Sequence, residues 1–344
     1  MEKAKKKSKT KKAERISMKT MGIAIWGLGN HALNRILPAL SSVQELSLIG
    51  VCSRTEKKVV KCSKNWNCYG WTDPNEMLSN PNIDIVYLAT PIGVHFKLAI
   101  QVLNAGKHVW CEKPLTCDYK DTKTLIKFAK QNKKMVTEAF MYLHHSQFNK
   151  VQNFVNDRKT GHISSVICRF GLPNLKNPGF RIDPSLCGGA LWDVASYTVS
   201  AVIALFPDQN VQILFSEVFK KENFPVDTEG RAVLRFTNGT TAYLEWGIGV
   251  GYKNEIELWS EKGSFYTDKI FSKPENYQPI YRTRDINGNE SVDYGDISEQ
   301  FKEMFHNFYN MCDFPEKIAT EYNCILKRAR VMDEIVRYAD LNRK

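Results

Sequence analysis

From Met21 to about residue 140, short apolar runs alternate with helix-length amphipathic stretches. Gly22 to Trp26 reads as a buried strand, followed by a glycine turn and a helix over His31 to Ser42. Leu46 to Cys52 is a second strand, and Thr55 to Asn65 a polar-faced helix. Ile83 to Ala89 and His108 to Cys111 are further strands, with a helix over Val94 to Ala105 between them. A helix over Asp118 to Gln131 and a short strand, Lys134 to Thr137, complete the series. Apolar runs of this kind, without alternation, belong to strands covered on both faces. Their regular exchange with helices predicts an α/β unit with a parallel, doubly wound, Rossmann-type sheet over residues 21–140.

Beyond residue 140 the pattern changes. A helix over Ser146 to Asn156 precedes a strand, Ile163 to Phe170, then a proline-containing loop and a helix over Gly189 to Leu205. Strands then follow in succession: Val211 to Phe219, Thr228 to Phe236, Thr241 to Trp246, Asn254 to Trp259 and Ser264 to Asp268. Asn238-Gly239 supplies the positive φ that a tight hairpin needs. Residues 141–344 are therefore expected to form an α+β domain on a mostly antiparallel open sheet, closed by helices over Ile297–Met311 and Ala319–Leu341.

Charge alters this picture little. Residues 1–20 hold eight lysines and Arg15 against Glu2 and Glu14, which accounts for +7 of the chain's +11. That stretch reads as a disordered, solvated tail, and the remainder is too mildly basic to suggest nucleic acid. No long uncharged apolar run is present, so no membrane span is expected, and no apolar segment follows the basic start as in a secretory signal. The nine cysteines form no CxxC pair and no metal-ligand spacing. They are expected to be reduced thiols in a cytoplasmic protein.

The chemistry begins at Gly27-Leu28-Gly29-Asn30-His31-Ala32, a G-x-G-x-x-A turn between the first strand and the first helix. The first glycine permits the tight turn, the second lets backbone approach a pyrophosphate, and the helix N-terminus faces the phosphates. Where an acidic residue would bind the ribose of NAD(H), the second strand ends in Ser53-Arg54, with Lys57 and Lys58 nearby. A guanidinium there can pair with a 2′-phosphate, which favours NADP(H) over NAD(H). The fourth strand ends in Glu112-Lys113-Pro114. Ligands bind at the carboxyl ends of such strands, so Lys113 is expected beside the nicotinamide, stabilising charge on a carbonyl or hydroxyl oxygen.

Taken together, the glycine turn, Ala89-Thr90-Pro91 with His95, Ala105-Gly106-Lys107-His108-Val109 before Glu112-Lys113-Pro114, and Gly188-Gly189-Ala190-Leu191-Trp192-Asp193 with Tyr197 resemble the glucose–fructose oxidoreductase / inositol dehydrogenase (Gfo/Idh/MocA) family. The resemblance runs over nearly the whole chain from Met21. It implies an oxidoreductase in which Lys113 and Tyr197 form the proton-donor system, the phenol acidified by Lys113, with either residue as formal donor. It also implies that Thr90, His95, Glu112 and Lys113 lie with the nicotinamide and its ribose. The C-terminal sheet is implied to join copies into a dimer or tetramer. A closer likeness, to nucleotide-sugar 3-ketoreductases of deoxysugar biosynthesis, lies in residues 138–145, Phe180-Arg181, Gly251-Tyr252-Lys253-Asn254 and residues 270–274 with Tyr277-Gln278-Pro279. By that likeness Arg181, Asp193, Tyr252 and Ser272 contact a nucleotide-linked keto-sugar, with Arg181 on its diphosphate. Departures fall at Cys187, where many relatives carry a third glycine, at Ala195-Ser196, and at Ser146 in place of a proline. A dehydrogenase of a free sugar or a trans-dihydrodiol would use the same lysine and tyrosine. A sensor that binds the same ligands without turnover would not need them.

Overall fold

The computed structural model describes residues 20–341, so the basic stretch expected as a tail lies outside the described residues except for Thr20. The first sheet contains β1 (Met21–Trp26), β2 (Leu46–Cys52), β3 (Tyr69–Trp71), β4 (Ile85–Leu88), β5 (His108–Cys111) and β6 (Val136–Glu138). They run parallel in the order β3-β2-β1-β4-β5-β6. The doubly wound expectation holds. Strand order reverses between β1 and β4, so the carboxyl ends of these two strands flank the crevice where such sheets take ligands. β3 carries no pattern of its own, because three partly exposed residues at a sheet edge need no apolar run.

The second sheet has eight strands: β7 (Ile163–Leu172), β8 (Val211–Phe219), β9 (Glu229–Phe236), β10 (Thr241–Ile248), β11 (Lys253–Ser260), β12 (Gly263–Asp268), β13 (Ile280–Asp285) and β14 (Glu290–Tyr294). Their order is β14-β13-β12-β11-β7-β10-β9-β8, antiparallel throughout except between β7 and β10. The hairpin expected at Asn238-Gly239 joins β9 to β10, with Gly239 at φ +93°. β13 and β14 escape a reading based on hydrophobicity because they bury almost nothing.

One face of this sheet packs on a helix that starts as a π-helical turn, Leu191–Ala195, and continues as Ser196–Leu205. The segment Pro184–Leu205 is long and apolar enough, by length and composition alone, to cross a membrane. However, 78% of its most apolar window is buried within the protein, where those side chains form the second domain's core.

The chain's end does not stay with the second domain. The helix Gln300–Met311 lays Phe301, Met304, Phe305 and Phe308 on one face of the first sheet, where Phe305 and Phe308 meet Trp110 at 6.0 and 5.4 Å. Tyr322 and Ile325, from the helix Pro315–Leu341, join the core on the opposite face. Each such burial contributes roughly 1.5–3 kcal/mol. A division at residue 140 thus separates the sheets but not the cores, because periodicity shows that a helix has an apolar face and not what that face covers.

The expectation of free thiols throughout is corrected at one pair. Cys117 and Cys187 are disulfide-bonded, with Cα atoms 6.2 Å apart and a sequence separation of 70.

Candidate active site

β1 leads directly into the glycine turn. Gly27 adopts φ +113°, and a β-carbon there would lie 2.4 Å from the Ala89 carbonyl oxygen, so only glycine lets β1 and β4 diverge at this point. A β-carbon on Gly29 would instead meet nothing within 4 Å, so the turn faces open space. Thr90 Oγ1, beside it, is buried without a hydrogen-bond partner among the described residues. An open glycine cradle together with an orphaned hydroxyl fits a dinucleotide lying along Gly27-Leu28-Gly29-Asn30. Lys58 Nζ donates to Leu28 O at 3.3 Å, bringing the basic end of β2 to the turn. Ser53 is half-buried there, its amide donating to Trp71 O and its hydroxyl accepting from Thr55 N, while Arg54 is exposed.

Two residues expected at the cofactor are held by the protein's own groups. His95 is fully buried, and its ring nitrogens reach Thr90 O at 2.9 Å and Pro114 O at 3.1 Å. It is a strut between the loops after β4 and β5. Glu112 Oε1 accepts from Tyr87 Oη at 2.6 Å and meets His31 Nε2 at 2.9 Å. It thereby ties the carboxyl end of β5 to the helix that begins at the glycine turn. Burial alone would raise the Glu112 carboxyl's pKa, but His31, Tyr87 and Lys113 together hold it below its ordinary value.

At the next residue the two domains meet. Lys113 Nζ donates to the Asp193 carbonyl at 2.5 Å and to Asp193 Oδ1 at 2.9 Å, with both side chains under a tenth exposed. Arg181 Nε donates to the other oxygen, Asp193 Oδ2, at 2.5 Å, and its guanidinium lies over the Phe180 ring. Asp193 is aimed here by its helix start. Gly189, at φ +117°, lets Asp227 close on the turn, and Asp227 Oδ2 accepts from Leu191 N at 2.7 Å. Desolvation would push the Asp193 carboxyl up, but Lys113 and Arg181 prevail and hold its pKa at about 2. The three residues form a continuous charged chain from the loop after β5 to the Arg181 segment.

Tyr197 is brought to the same place in an unexpected posture. The Lys113 ammonium sits over the face of its ring, 4.3 Å from the centroid, while the phenol oxygen points to Met141 Sδ at 4.0 Å. Burial, with Glu112 and Asp193 nearby, drives the phenol well above its ordinary pKa. The expectation that Lys113 acidifies Tyr197 is therefore corrected, because the ammonium is committed to Asp193 and faces the π-cloud rather than the hydroxyl. Phe140, Tyr142, Phe170 and Phe271 enclose the ring at centroid distances of 5.2–5.9 Å.

Tyr252 and Ser272, distant in sequence, are joined through Asn254. Its Nδ2 donates to Tyr252 Oη at 3.2 Å and to Ser272 O at 2.7 Å, and its Oδ1 accepts from Phe271 N. Sequence reasoning passed over Asn254, although it stands in the quoted Gly251–Asn254 motif. It also passed over Glu138, whose Oε1 accepts from Leu115 N at 2.9 Å while Oε2 accepts from Arg328 Nε at 2.7 Å. A single acidic residue ending a strand carries no signal that its partner lies 190 residues further on.

The arrangement has relatives. Residues 21–140 match the GFO/IDH/MocA oxidoreductase family with its NAD-binding Rossmann fold, and residues 148–266 match that family's C-terminal domain. A dTDP-3,4-didehydro-2,6-dideoxy-alpha-D-glucose 3-reductase of Saccharopolyspora spinosa is 30% identical over 77% of this chain and 79% of its own length. Its namesake in Streptomyces antibioticus is 25% identical over 92% and 96%. A 3-ketoreductase from Actinomadura kijaniata, solved in complex with NADP and TDP-benzene, superposes with a TM-score of 0.86 at 24% identity, covering 92% of this chain and 97% of that one. With both domains matched and the glycine turn, Lys113 and Asp193 brought to one cleft, the chain belongs to the GFO/IDH/MocA family of oxidoreductases.

Proposed function

We propose that this oxidoreductase reduces the C3 ketone of a nucleotide-linked deoxysugar with NADPH. The observation that carries the reading is the continuous chain Lys113–Asp193–Arg181, which couples a cation at the reaction centre to one at the cleft. Gly27–Asn30 would hold NADPH, with Ser53 and Arg54 available to its 2′-phosphate, and the bound cofactor would supply the hydride. Lys113 hydrogen-bonds the ketone oxygen and stabilises the charge that grows on it. Tyr197, whose raised phenol stays protonated across neutral pH, is the proton source of the pair. Arg181 uses Nε on Asp193, and the rest of its fork suits a diphosphate. Tyr252 and Ser272, joined by Asn254, take the nucleotide end. The namesake enzymes and the solved 3-ketoreductase support this substrate class by similarity.

Arg181→Ala separates this reading from a free-sugar dehydrogenase. With a dTDP-linked keto-sugar, KM is expected to rise roughly ten- to a hundredfold, the value of a charge-assisted hydrogen bond. NADPH oxidation followed at 340 nm measures it. An unchanged KM, or turnover only with free sugars, would point to the dehydrogenase instead.

We also infer that the open face of the second sheet joins copies of the chain. Tyr243 on β10 and Trp259 on β11 point outward on that face, 44% and 65% exposed, with Phe215 on β8 in the same row. Apolar side chains gathered on an open sheet mark an interaction surface. Light scattering of the full chain should give twice or four times the 39.5 kDa protomer mass, and Tyr243→Glu should lower it. A monomer in the unsubstituted protein rejects this inference.

A further inference from the structure

Cys187 occupies φ +57° and ψ +42°, a left-handed conformation that glycine adopts freely and a β-carbon disfavours. A side chain is present at this disfavoured position, and its sulfur is bonded to Cys117. The bond's placement gives it consequence. Cys117 lies four residues beyond Lys113, and Cys187 lies between Arg181 and Asp193, so the bond bridges the two domains beside the charged chain of the site. Neither cysteine is fully buried.

The segment Gly179–Gly189 that carries Arg181 is otherwise lightly attached to the first domain. The backbone amides of Arg181, Asp183, Leu186, Cys187, Gly188 and Gly189 all donate to carbonyls within residues 178–184. The segment also meets the first domain where Ser185 and Leu186 pack on Gly93, at which a β-carbon would lie 2.7 Å from Leu186 Cα.

We propose that Cys117–Cys187 is a thiol–disulfide exchange site whose state sets how firmly the Arg181 segment is held against the Lys113 loop. Its co-substrate is a dithiol. One thiolate attacks a sulfur of the pair and forms a mixed disulfide, and the second thiolate displaces the protein thiolate. The protein disulfide is reduced to two thiols as the dithiol is oxidised to a disulfide, and the dithiol's two protons end on Cys117 and Cys187. An oxidised dithiol reverses the step. Reduction leaves the segment's local hydrogen bonds intact but releases it from the first domain. The effect on catalysis rests on the reading that Arg181 binds the nucleotide-sugar, whereas the effect on the segment's mobility does not.

The test uses the full chain equilibrated with oxidised or reduced dithiothreitol. Thiol titration after denaturation should give seven free thiols in the first state and all nine in the second. Amide hydrogen exchange over residues 179–189 should be roughly tenfold faster in the reduced protein, with β7 and β10 unchanged. Cys187→Gly suits the local backbone and should fold. It and Cys117→Ser should show the fast exchange under both conditions. The KM for the keto-sugar should rise severalfold on reduction and be indifferent to redox state in both variants. Nine thiols after oxidation, or equal exchange in the two states, overturns the proposal. Redox-dependent exchange without any keto-sugar turnover would uphold the exchange site and reject the substrate reading alone.

Discussion

Lys113→Met is expected to lower kcat by about a thousandfold, the size of losing a preorganised donor to a developing oxyanion. The methionine keeps the length of the stem but cannot hydrogen-bond a ketone oxygen. NADPH affinity, read by fluorescence titration, should change little, because the glycine turn and the Ser53–Arg54 end of the crevice are untouched. The substitution also acts on Asp193. In the native protein its carboxyl is held at about 2, below its ordinary 3.8, so its contribution to stability is complete above pH 4 and lost as pH falls toward 2. Without Lys113 the largest cause of that depression is gone and burial pulls the pKa upward, so acid unfolding should begin at higher pH. Lys113→Arg is not a rescue, since a planar fork does not fit where one nitrogen bonds both a carbonyl and a carboxylate and also faces a ring. A variant with unchanged kcat and raised KM would show that Lys113 serves ground-state binding only.

Arg328→Met should cost about 3–5 kcal/mol, as expected for breaking a buried ion pair from one side. Arg328 is 4% exposed and donates to Glu138 at 2.7 Å and to Glu321 at 3.0 Å. Its removal strands two carboxylates, one of which, Glu321, is already held above its ordinary pKa by burial. A fall in Tm of roughly 6 °C or more is expected by scanning calorimetry. Activity should fall as well, because Glu138 also holds Leu115 N, two residues from Lys113. Combining Arg328→Met with Glu138→Gln should recover part of the stability, since glutamine still accepts from Leu115 N and carries no charge. A Tm shift under about 2 °C in the single variant would mean the pair is not the anchor of the C-terminal helix.

The parallel sheet was legible because most of its strands are rich in apolar residues without strict alternation, as burial on both faces requires. β13 and β14 were not, because a strand with little buried surface has no pattern to display. The glycine turn was legible for a related reason: Gly27 answers to the nearby Ala89 carbonyl, which excludes any side chain. Lys113 was named from its place at the end of β5, and Asp193, Tyr197 and Arg181 from the family resemblance, and the four do converge. Their hydrogen bonding was not readable, and it reversed one expectation, since Tyr197 is raised rather than acidified. His95's hydrogen bonds to the Thr90 and Pro114 carbonyls were likewise unreadable.

The division is physical. Periodicity and turn chemistry record what each residue's own few neighbours demand, so the sequence alone determined the two-sheet architecture and the glycine turn that opens the first helix, and it placed Lys113 at the carboxyl end of β5. Partner choice depends on distances between residues that chain spacing does not constrain. Only the tertiary structure decided that Arg328 serves Glu138 and that the C-terminal helices roof the first sheet. It alone placed Lys113 over the face of Tyr197 and joined Cys117 to Cys187 across the cleft.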